Sequence, residues 1–138
     1  MTAYPEVKNY FTTHPTSGGD PRLEVAQLLG LPPDTNNSYF VELWVKPVDL
    51  FRPSADNEIN DMVAQLYFPD NTDISYKIWF LNNTRSSYFV KRVPWTRLGY
   101  TYHWENPESK VGLSEFVIRK NSEVTVKSLS STSDYLKQ

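Results

Sequence analysis

Residues 98–104, LGYTYHW, alternate between two kinds of side chain along the chain. Successive side chains of an extended strand point to opposite faces, so the alternation gives one apolar and aromatic face and one polar face. The apolar face consists of Leu98, Tyr100, Tyr102 and Trp104, and the polar face of Thr101 and His103. The pattern predicts a β-strand with one continuous apolar side.

A second strand is predicted at residues 113–118, LSEFVI, and the two form a hairpin or are neighbours separated by another strand. In this second strand Glu115 lies on the same face as Leu113 and Val117, so a carboxylate occupies an otherwise apolar face. The connection at residues 105–110 is polar and contains Pro107, which cannot extend a ladder. It is therefore predicted to be a surface loop.

Further strands are predicted at residues 39–46, 62–68, 74–81, 87–93 and 123–127. One short helix is predicted from Pro21 to Leu29, because Asp20 is a favourable N-cap, proline suits the first helical position and Gly30 suits the C-cap. We expect an α+β fold, mainly β: a bent antiparallel sheet or partly open barrel of about seven strands, with this short N-terminal helix. An all-β sandwich is the alternative.

A length of 138 residues without an internal repeat or linker predicts one domain over residues 1–138. Within it, residues 1–19 contain two prolines and two glycines and are interpreted as an irregular arm. Residues 129–138 are interpreted as a polar tail that frays or docks as one helical turn.

Charge and composition narrow the classes of partner. With 14 basic and 16 acidic residues the net charge is −2, which predicts no strong electrostatic attraction to nucleic acid. We interpret the four basic residues Arg85, Lys91, Arg92 and Arg97 as a solvated strand face. No apolar run reaches the roughly 20 residues of a membrane span, and the N-terminus lacks the pattern of a signal peptide. We expect a soluble protein without a membrane partner, either cytoplasmic or delivered by a non-classical secretion route.

Motifs for phosphate loops, dinucleotide folds, nucleophile elbows and zinc sites are absent from the sequence. The absence of cysteine excludes disulfides and thiolate chemistry. Asp56, Glu58 and Asp61 are interpreted as a solvated acidic loop, because their spacing does not match a calcium loop. We therefore expect neither a metal nor a bound cofactor, with NAD considered only as a substrate.

Two chemistries fit the residues around the predicted strand pair. Histidine and glutamate as acid and base, with arginine for phosphate, suit cleavage of RNA. Arginine for pyrophosphate, aromatic rings for nicotinamide and glutamate for an oxocarbenium-like centre suit cleavage of NAD. The predicted catalytic residues are Glu115, His103 and Arg97, and the predicted substrate-binding residues are Arg52, Tyr100, Tyr102 and Trp104.

Non-catalytic alternatives use the same residues differently. Glu115 pairs with an arginine across the sheet in one of them, with His103 facing solvent and the aromatic residues in the core. In another, the exposed tryptophans Trp44, Trp79, Trp95 and Trp104 bind a protein or carbohydrate partner. An immunity or inhibitor protein would fit the mild acidity.

Three segments resemble the C-terminal effector domains of bacterial polymorphic toxins: LEVAQLLGLPPDTNN, PWTRLGYTYHW and VGLSEFVIRKNSEVTV. The segment from Glu115 to Val126 is similar to the last catalytic strand of the ADP-ribosyltransferase family. The resemblance implies a small toxin-like domain that acts on NAD, with a cognate immunity protein as a further partner.

The same resemblance assigns roles to individual residues. Glu115 matches the glutamate that contacts the nicotinamide ribose, and Arg52 corresponds to the arginine near the start of the family's first strand. Typical transferases of the family carry a second Glu or Gln two positions before the glutamate, where this chain has Leu113. This departure implies NAD hydrolysis, or the branches that modify DNA and small targets, rather than modification of proteins.

Overall fold

The computed structural model describes residues 1–137, which contain four α-helices and six β-strands. The helices are α1 (Glu6–Thr13), α2 (Pro21–Leu29), α3 (Ile74–Arg85) and α4 (Thr132–Leu136). The strands are β1 (Tyr39–Val45), β2 (Leu50–Phe51), β3 (Tyr100–Tyr102), β4 (Val111–Ser114), β5 (Val117–Ile118) and β6 (Val124–Ser131). A 3₁₀ turn occupies Pro47–Asp49, and a π-helical turn, Ser86–Lys91, follows α3 directly.

Helix α2 confirms the prediction from its capping residues. The Asp20 side chain accepts a hydrogen bond from the amide of Arg22 at 2.9 Å, and Pro21 opens the helix. Gly30 ends it in the left-handed conformation, with φ of 68°.

The prediction of an irregular arm at residues 1–19 is wrong, because residues 6–13 form α1. Val7 and Phe11 lie one turn apart on this helix and are buried. They pack with α2 and with Tyr135 of α4 in the first hydrophobic core. Much of the predicted polar tail, residues 129–138, is also ordered, since β6 continues to Ser131 and α4 follows it. Gln138 lies outside the described residues.

The strand predicted at residues 74–81 is also wrong, because this segment forms α3. The Asp73 carboxylate caps the helix by accepting hydrogen bonds from the amides of Ser75 and Tyr76 at 2.7 and 3.3 Å. Tyr76 and Phe80, four residues apart, are buried with Phe51 in a second hydrophobic core. Helical spacing of the aromatic residues after an N-cap was therefore the signal that the strand prediction overlooked.

Two other predicted strands are missing. Residues 87–93 fall mostly within the π-helical turn. Residues 62–68 form no strand, and Met62 is 99% exposed. A strand requires a hydrogen-bonding partner, and the structure pairs neither segment in a ladder.

The strands form three two-stranded antiparallel sheets, β1 with β6, β2 with β5, and β3 with β4. The α+β class with antiparallel strands is therefore confirmed. The expectation of one bent sheet or partly open barrel of about seven strands with a single helix is wrong, because residues 1–137 contain three separate two-stranded sheets and four α-helices. The sheets are open, and the helices exclude the all-β sandwich. No helix within residues 1–137 is long and apolar enough to cross a bilayer.

The strand pair predicted at residues 98–104 and 113–118 exists as the β3–β4 hairpin. The second segment is divided at Glu115 and Phe116, after which β5 leaves β4 and pairs with β2. Glu115 thus lies at the crossover between two sheets, and this position determines its surroundings.

Candidate functional site

An aromatic groove of about 440 Å³ lies beside β3. Its lining is mainly apolar and includes three tyrosines and one tryptophan. The lining residues are Tyr88, Pro94, Trp95, Thr96, Leu98, Tyr100, Tyr102, Lys110 and Val111. We call this feature the aromatic groove.

A tight loop before β3 shapes one wall of the aromatic groove. Arg97 and Gly99 both have positive φ, 62° and 76°, so the chain turns sharply between Trp95 and Tyr100. The Thr96 hydroxyl donates to the carbonyl of Tyr100 and accepts from the amide of Leu98 at 3.2 Å. The Tyr88 hydroxyl donates to the carbonyl of Trp95 and fixes the π-helical turn to the same loop.

Tyr100 and Tyr102 present their side chains on the same face of β3, as the alternation predicts. Both line the aromatic groove and are half-buried. Their hydroxyls have no hydrogen-bond partner among residues 1–137 and can therefore bind a ligand.

Arg97 stands at the edge of the aromatic groove. Its guanidinium lies 5.2 Å from the centroid of the Tyr88 ring, in a cation–π contact. It is exposed and makes neither a hydrogen bond nor an ion pair with residues 1–137. A planar fork of donors that is stacked but unpaired is suited to a carboxylate or phosphate of a ligand.

The carboxyl group of Glu115 neighbours the side chain of Trp95, and Trp95 also lines the aromatic groove. Burial raises the pKa of Glu115, and the nearby amino group of Met1 and the Trp95 side chain, a hydrogen-bonding neighbour, partly oppose the rise. The Oε2 atom is buried and has no hydrogen-bond partner within residues 1–137. The ion pair with an arginine that the non-catalytic alternative requires does not occur in this part of the chain.

Arg52 follows β2 directly, and the pairing of β2 with β5 brings its backbone close in space to the segment around Glu115. Phe51 pairs with Val117 in antiparallel register, so Arg52, the residue after β2, lies on the side of this pair toward Phe116. Gly99 contacts both Glu115 and Arg52. Its carbonyl accepts a hydrogen bond from the amide of Glu115 at 2.8 Å, and its α-carbon packs on the Arg52 side chain. The Arg52 guanidinium itself donates to the carbonyls of Asp61 and Val63 at 2.7 and 2.9 Å.

His103 is not part of this assembly. It is buried against α1, with its ring 5.7 Å from that of Tyr10, and the solvent-facing position considered from the sequence is wrong. Burial lowers the pKa of His103, and Lys110 and His14 lower it further. The polar face of the strand thus points inward, where the Thr101 hydroxyl donates to the carbonyl of Leu28.

Trp104 also lies away from the aromatic groove, and its indole N–H donates to the carbonyl of Leu31 at 3.1 Å. Of the seven predicted site residues, the structure places Tyr100 and Tyr102 in the lining of the aromatic groove and Arg97 at its edge. Glu115 neighbours Trp95, a residue of the lining. The Arg52 side chain packs against Gly99. The predicted catalytic and substrate-binding residues did not include Tyr88, Trp95 and Lys110, although Trp95 was among the tryptophans considered for binding a partner. Trp95 follows Pro94 just before the strand, a position from which it could have been included.

A larger open cleft of about 1030 Å³ lies against the second core, whose residues Phe51 and Tyr76 help to line it. Its lining includes Asp56, Glu58 and Asp61, together with Tyr76 and Trp79 of α3. The acidic segment is therefore partly enclosed, and Asp56 is 5% exposed rather than solvated. No group of three or more His, Cys, Asp or Glu within residues 1–137 is arranged to hold a metal ion.

Comparisons of this chain with protein-family models, with curated proteins and with solved structures found no match. The function therefore has to be inferred from the chemistry of the aromatic groove and of Glu115.

Proposed function

We propose that the protein is a small toxin-like effector domain that hydrolyses NAD, with Glu115 as its catalytic carboxylate. The observation that carries this proposal is the shared position of Trp95, which lines the aromatic groove and neighbours the half-buried Glu115. A flat ring bound in the groove would lie one side chain, that of Trp95, away from a carboxyl group whose Oε2 has no hydrogen-bond partner within residues 1–137.

The groove and Arg97 together match the two chemical parts of a dinucleotide. The rings of Tyr88, Tyr100 and Tyr102 offer stacking surfaces for nicotinamide or adenine. The unpaired Arg97 guanidinium at the edge offers two parallel donors to the pyrophosphate. Lys110, which also lines the groove, adds positive charge on this side.

The reaction needs no redox partner. The bond between the nicotinamide nitrogen and C1′ of the ribose breaks, and its electron pair leaves with nicotinamide. The ribose becomes oxocarbenium-like, and the Glu115 carboxylate stabilises this positive charge. Water adds its oxygen to C1′ and releases one proton, so the products are nicotinamide and ADP-ribose.

RNA has less support as a substrate. General acid–base cleavage would use His103 close to Glu115. His103 instead packs against Tyr10, and its lowered pKa reflects a buried structural position.

The second candidate function is non-catalytic binding of a carbohydrate in the aromatic groove. Stacking on tyrosine and tryptophan rings, with the free hydroxyls of Tyr100 and Tyr102 as hydrogen-bonding groups, would also suit a sugar. This function needs the groove but does not need Glu115.

The test measures release of nicotinamide and ADP-ribose from NAD by the purified chain. We expect Glu115→Gln to abolish release and Arg97→Gln to raise KM, while the exposed control variants Glu123→Gln and Arg85→Gln behave as wild type. NAD should still quench tryptophan fluorescence in Glu115→Gln, because the groove is intact. Absence of nicotinamide release by the wild-type chain would overturn the enzymatic proposal.

Expression in bacteria provides the cellular counterpart. Wild-type protein should arrest growth and deplete NAD, and Glu115→Gln should do neither. Growth arrest with intact NAD and degraded RNA would instead favour the RNA alternative. Quenching by an oligosaccharide, without quenching by NAD, would favour the binding function.

A further inference from the structure

The charges of residues 74–92 differ from those of the rest of the chain. All charged residues in this segment are basic, namely Lys77, Arg85, Lys91 and Arg92. The remaining sequence has ten basic and sixteen acidic residues. A chain that is acidic overall thus carries one basic segment, which coincides with α3 and the π-helical turn after it.

The exposed side of α3 is apolar. Ile74, Ile78 and Leu81 are spaced by four and three residues, so they lie on one helix face. Their side chains are 69%, 54% and 58% exposed. The residues that anchor α3 in the second core, Tyr76 and Phe80, lie on the other face.

The apolar stripe continues beyond α3. Phe89 and Val90, in the π-helical turn, are 77% and 71% exposed. Arg92 then ends the turn in the left-handed conformation, with φ of 53°. We call Ile74, Ile78, Leu81, Phe89 and Val90, together with the four basic residues, the α3 surface.

The basic residues of the α3 surface form no ion pair with acidic residues of the described chain, 1–137. Lys77 instead lies over the ring of Phe68, 5.7 Å from its centroid. The acidic cleft is on the opposite side of the helix, since α3 contributes Ser75, Tyr76 and Trp79 to it. The Asp73 carboxylate next to the surface is engaged in capping α3.

We propose that the α3 surface docks on an anionic lipid bilayer, with α3 lying in the plane of the interface. The apolar stripe would enter the boundary between headgroups and acyl chains, and the basic residues would contact anionic headgroups. This contact requires no membrane-spanning helix. It is independent of the proposed NAD hydrolysis.

The shape and chemistry of the α3 surface favour a bilayer over other anionic partners. The side chains of the stripe are largely exposed, and a bilayer receives protruding apolar side chains without a matching groove. Nucleic acid would neutralise the basic residues but leave Ile74, Ile78 and Leu81 without an apolar partner. An acidic protein would need a recess that fits the stripe.

The test is co-sedimentation of the full chain with vesicles. We expect binding to vesicles of phosphatidylcholine mixed with phosphatidylserine, much weaker binding to phosphatidylcholine alone, and a decrease with added salt. Lys91→Gln/Arg92→Gln should lower the partition coefficient about thirtyfold. Ile78→Ser/Phe89→Ser should also lower it at least about tenfold, through loss of apolar burial.

Two control variants make comparable changes of charge and apolar surface elsewhere on the chain. Lys46→Gln/Lys120→Gln changes the net charge by the same amount, and Val48→Ser/Val126→Ser removes two exposed apolar side chains; both should bind as wild type. Equal loss in the control and α3-surface variants, or no preference for anionic vesicles, would overturn the proposal. Circular dichroism of each variant verifies folding, so a sedimentation difference reports the surface.

Discussion

The α-carbon of Gly99 lies directly against the side chain of Arg52. A Cβ at position 99 would stand 2.3 Å from both Cγ and Cδ of Arg52. The guanidinium beyond them is held by the carbonyls of Asp61 and Val63, so the side chain has little freedom to move away. Because the Gly99 carbonyl also accepts from the amide of Glu115, this contact sets the position of the Glu115 segment relative to β2.

Gly99→Ala should destabilise the protein by roughly 2–4 kcal/mol, because it adds steric overlap to a positive φ of 76°. Gly18→Ala is the matched control: φ there is 85°, but no atom lies within 4 Å of the added methyl group. We expect a loss of about 1 kcal/mol for the control. Urea unfolding of both variants measures the difference, and equal losses would contradict the packing described for Arg52.

Thr101→Val should cost roughly 2–4 kcal/mol, because one buried carbonyl and one half-buried amide lose their partner. The Thr101 hydroxyl donates to the carbonyl of Leu28 at 2.8 Å and accepts from the amide of Leu113 at 2.9 Å. Thr125→Val on the exposed side of β6 serves as the control and should be nearly neutral. Thermal unfolding compares the two, and an unchanged melting temperature in Thr101→Val would contradict this role.

His103 should make stability depend on pH near neutrality. Its pKa in the folded state is lowered from 6.5, mainly by burial, so the folded protein disfavours the charged imidazole. The unfolded state therefore binds a proton first as the pH falls below about 6.5, and the free energy of unfolding decreases. His103→Gln should flatten this dependence and preserve nicotinamide release. Loss of release in a stably folded His103→Gln variant would return His103 to the active site.

Glu115 should make stability depend on pH in the opposite direction to His103. Its folded-state pKa is raised from 4.5, mainly by burial, so the folded protein favours the protonated carboxyl. As the pH rises through 4.5, the unfolded state loses its proton first, and stability falls until the pH passes the folded-state pKa. Glu115→Gln should remove this fall, which urea unfolding across the acidic range would measure. A similar fall in Glu115→Gln would mean that another group causes it.

Local sequence signals correctly predicted α2 and β3, because both depend mainly on residues that are neighbours in the chain. The capping residues Asp20, Pro21 and Gly30 marked α2 correctly, because a helix end is stabilised within a few residues. Alternation in residues 98–104 predicted β3 and placed Tyr100 and Tyr102 on one face. For α3 the apolar composition of residues 74–81 suggested a strand, although the Asp73 cap and the spacing of Tyr76 and Phe80 favoured the helix.

The sequence prediction grouped Glu115, Arg97, Tyr100 and Tyr102 with His103, whereas the structure places His103 on the other side of β3. Residues adjacent on a strand face opposite sides, so Tyr102 reaches the aromatic groove and His103 packs on α1. The choice of side depends on α1 and α2, which occupy the space beside Thr101 and His103. Local alternation contains no information about which face a distant helix will cover.

Local patterns were sufficient to predict the ends of α2 and the alternation of β3, because each of these depends on a few consecutive residues. The crossover at Glu115, where β4 ends and β5 joins β2, depends on the packed fold, which places Trp95 beside the carboxyl group and bonds the Glu115 amide to the carbonyl of Gly99. These contacts join segments that are distant in sequence, because burial and antiparallel pairing are long-range properties of the folded chain.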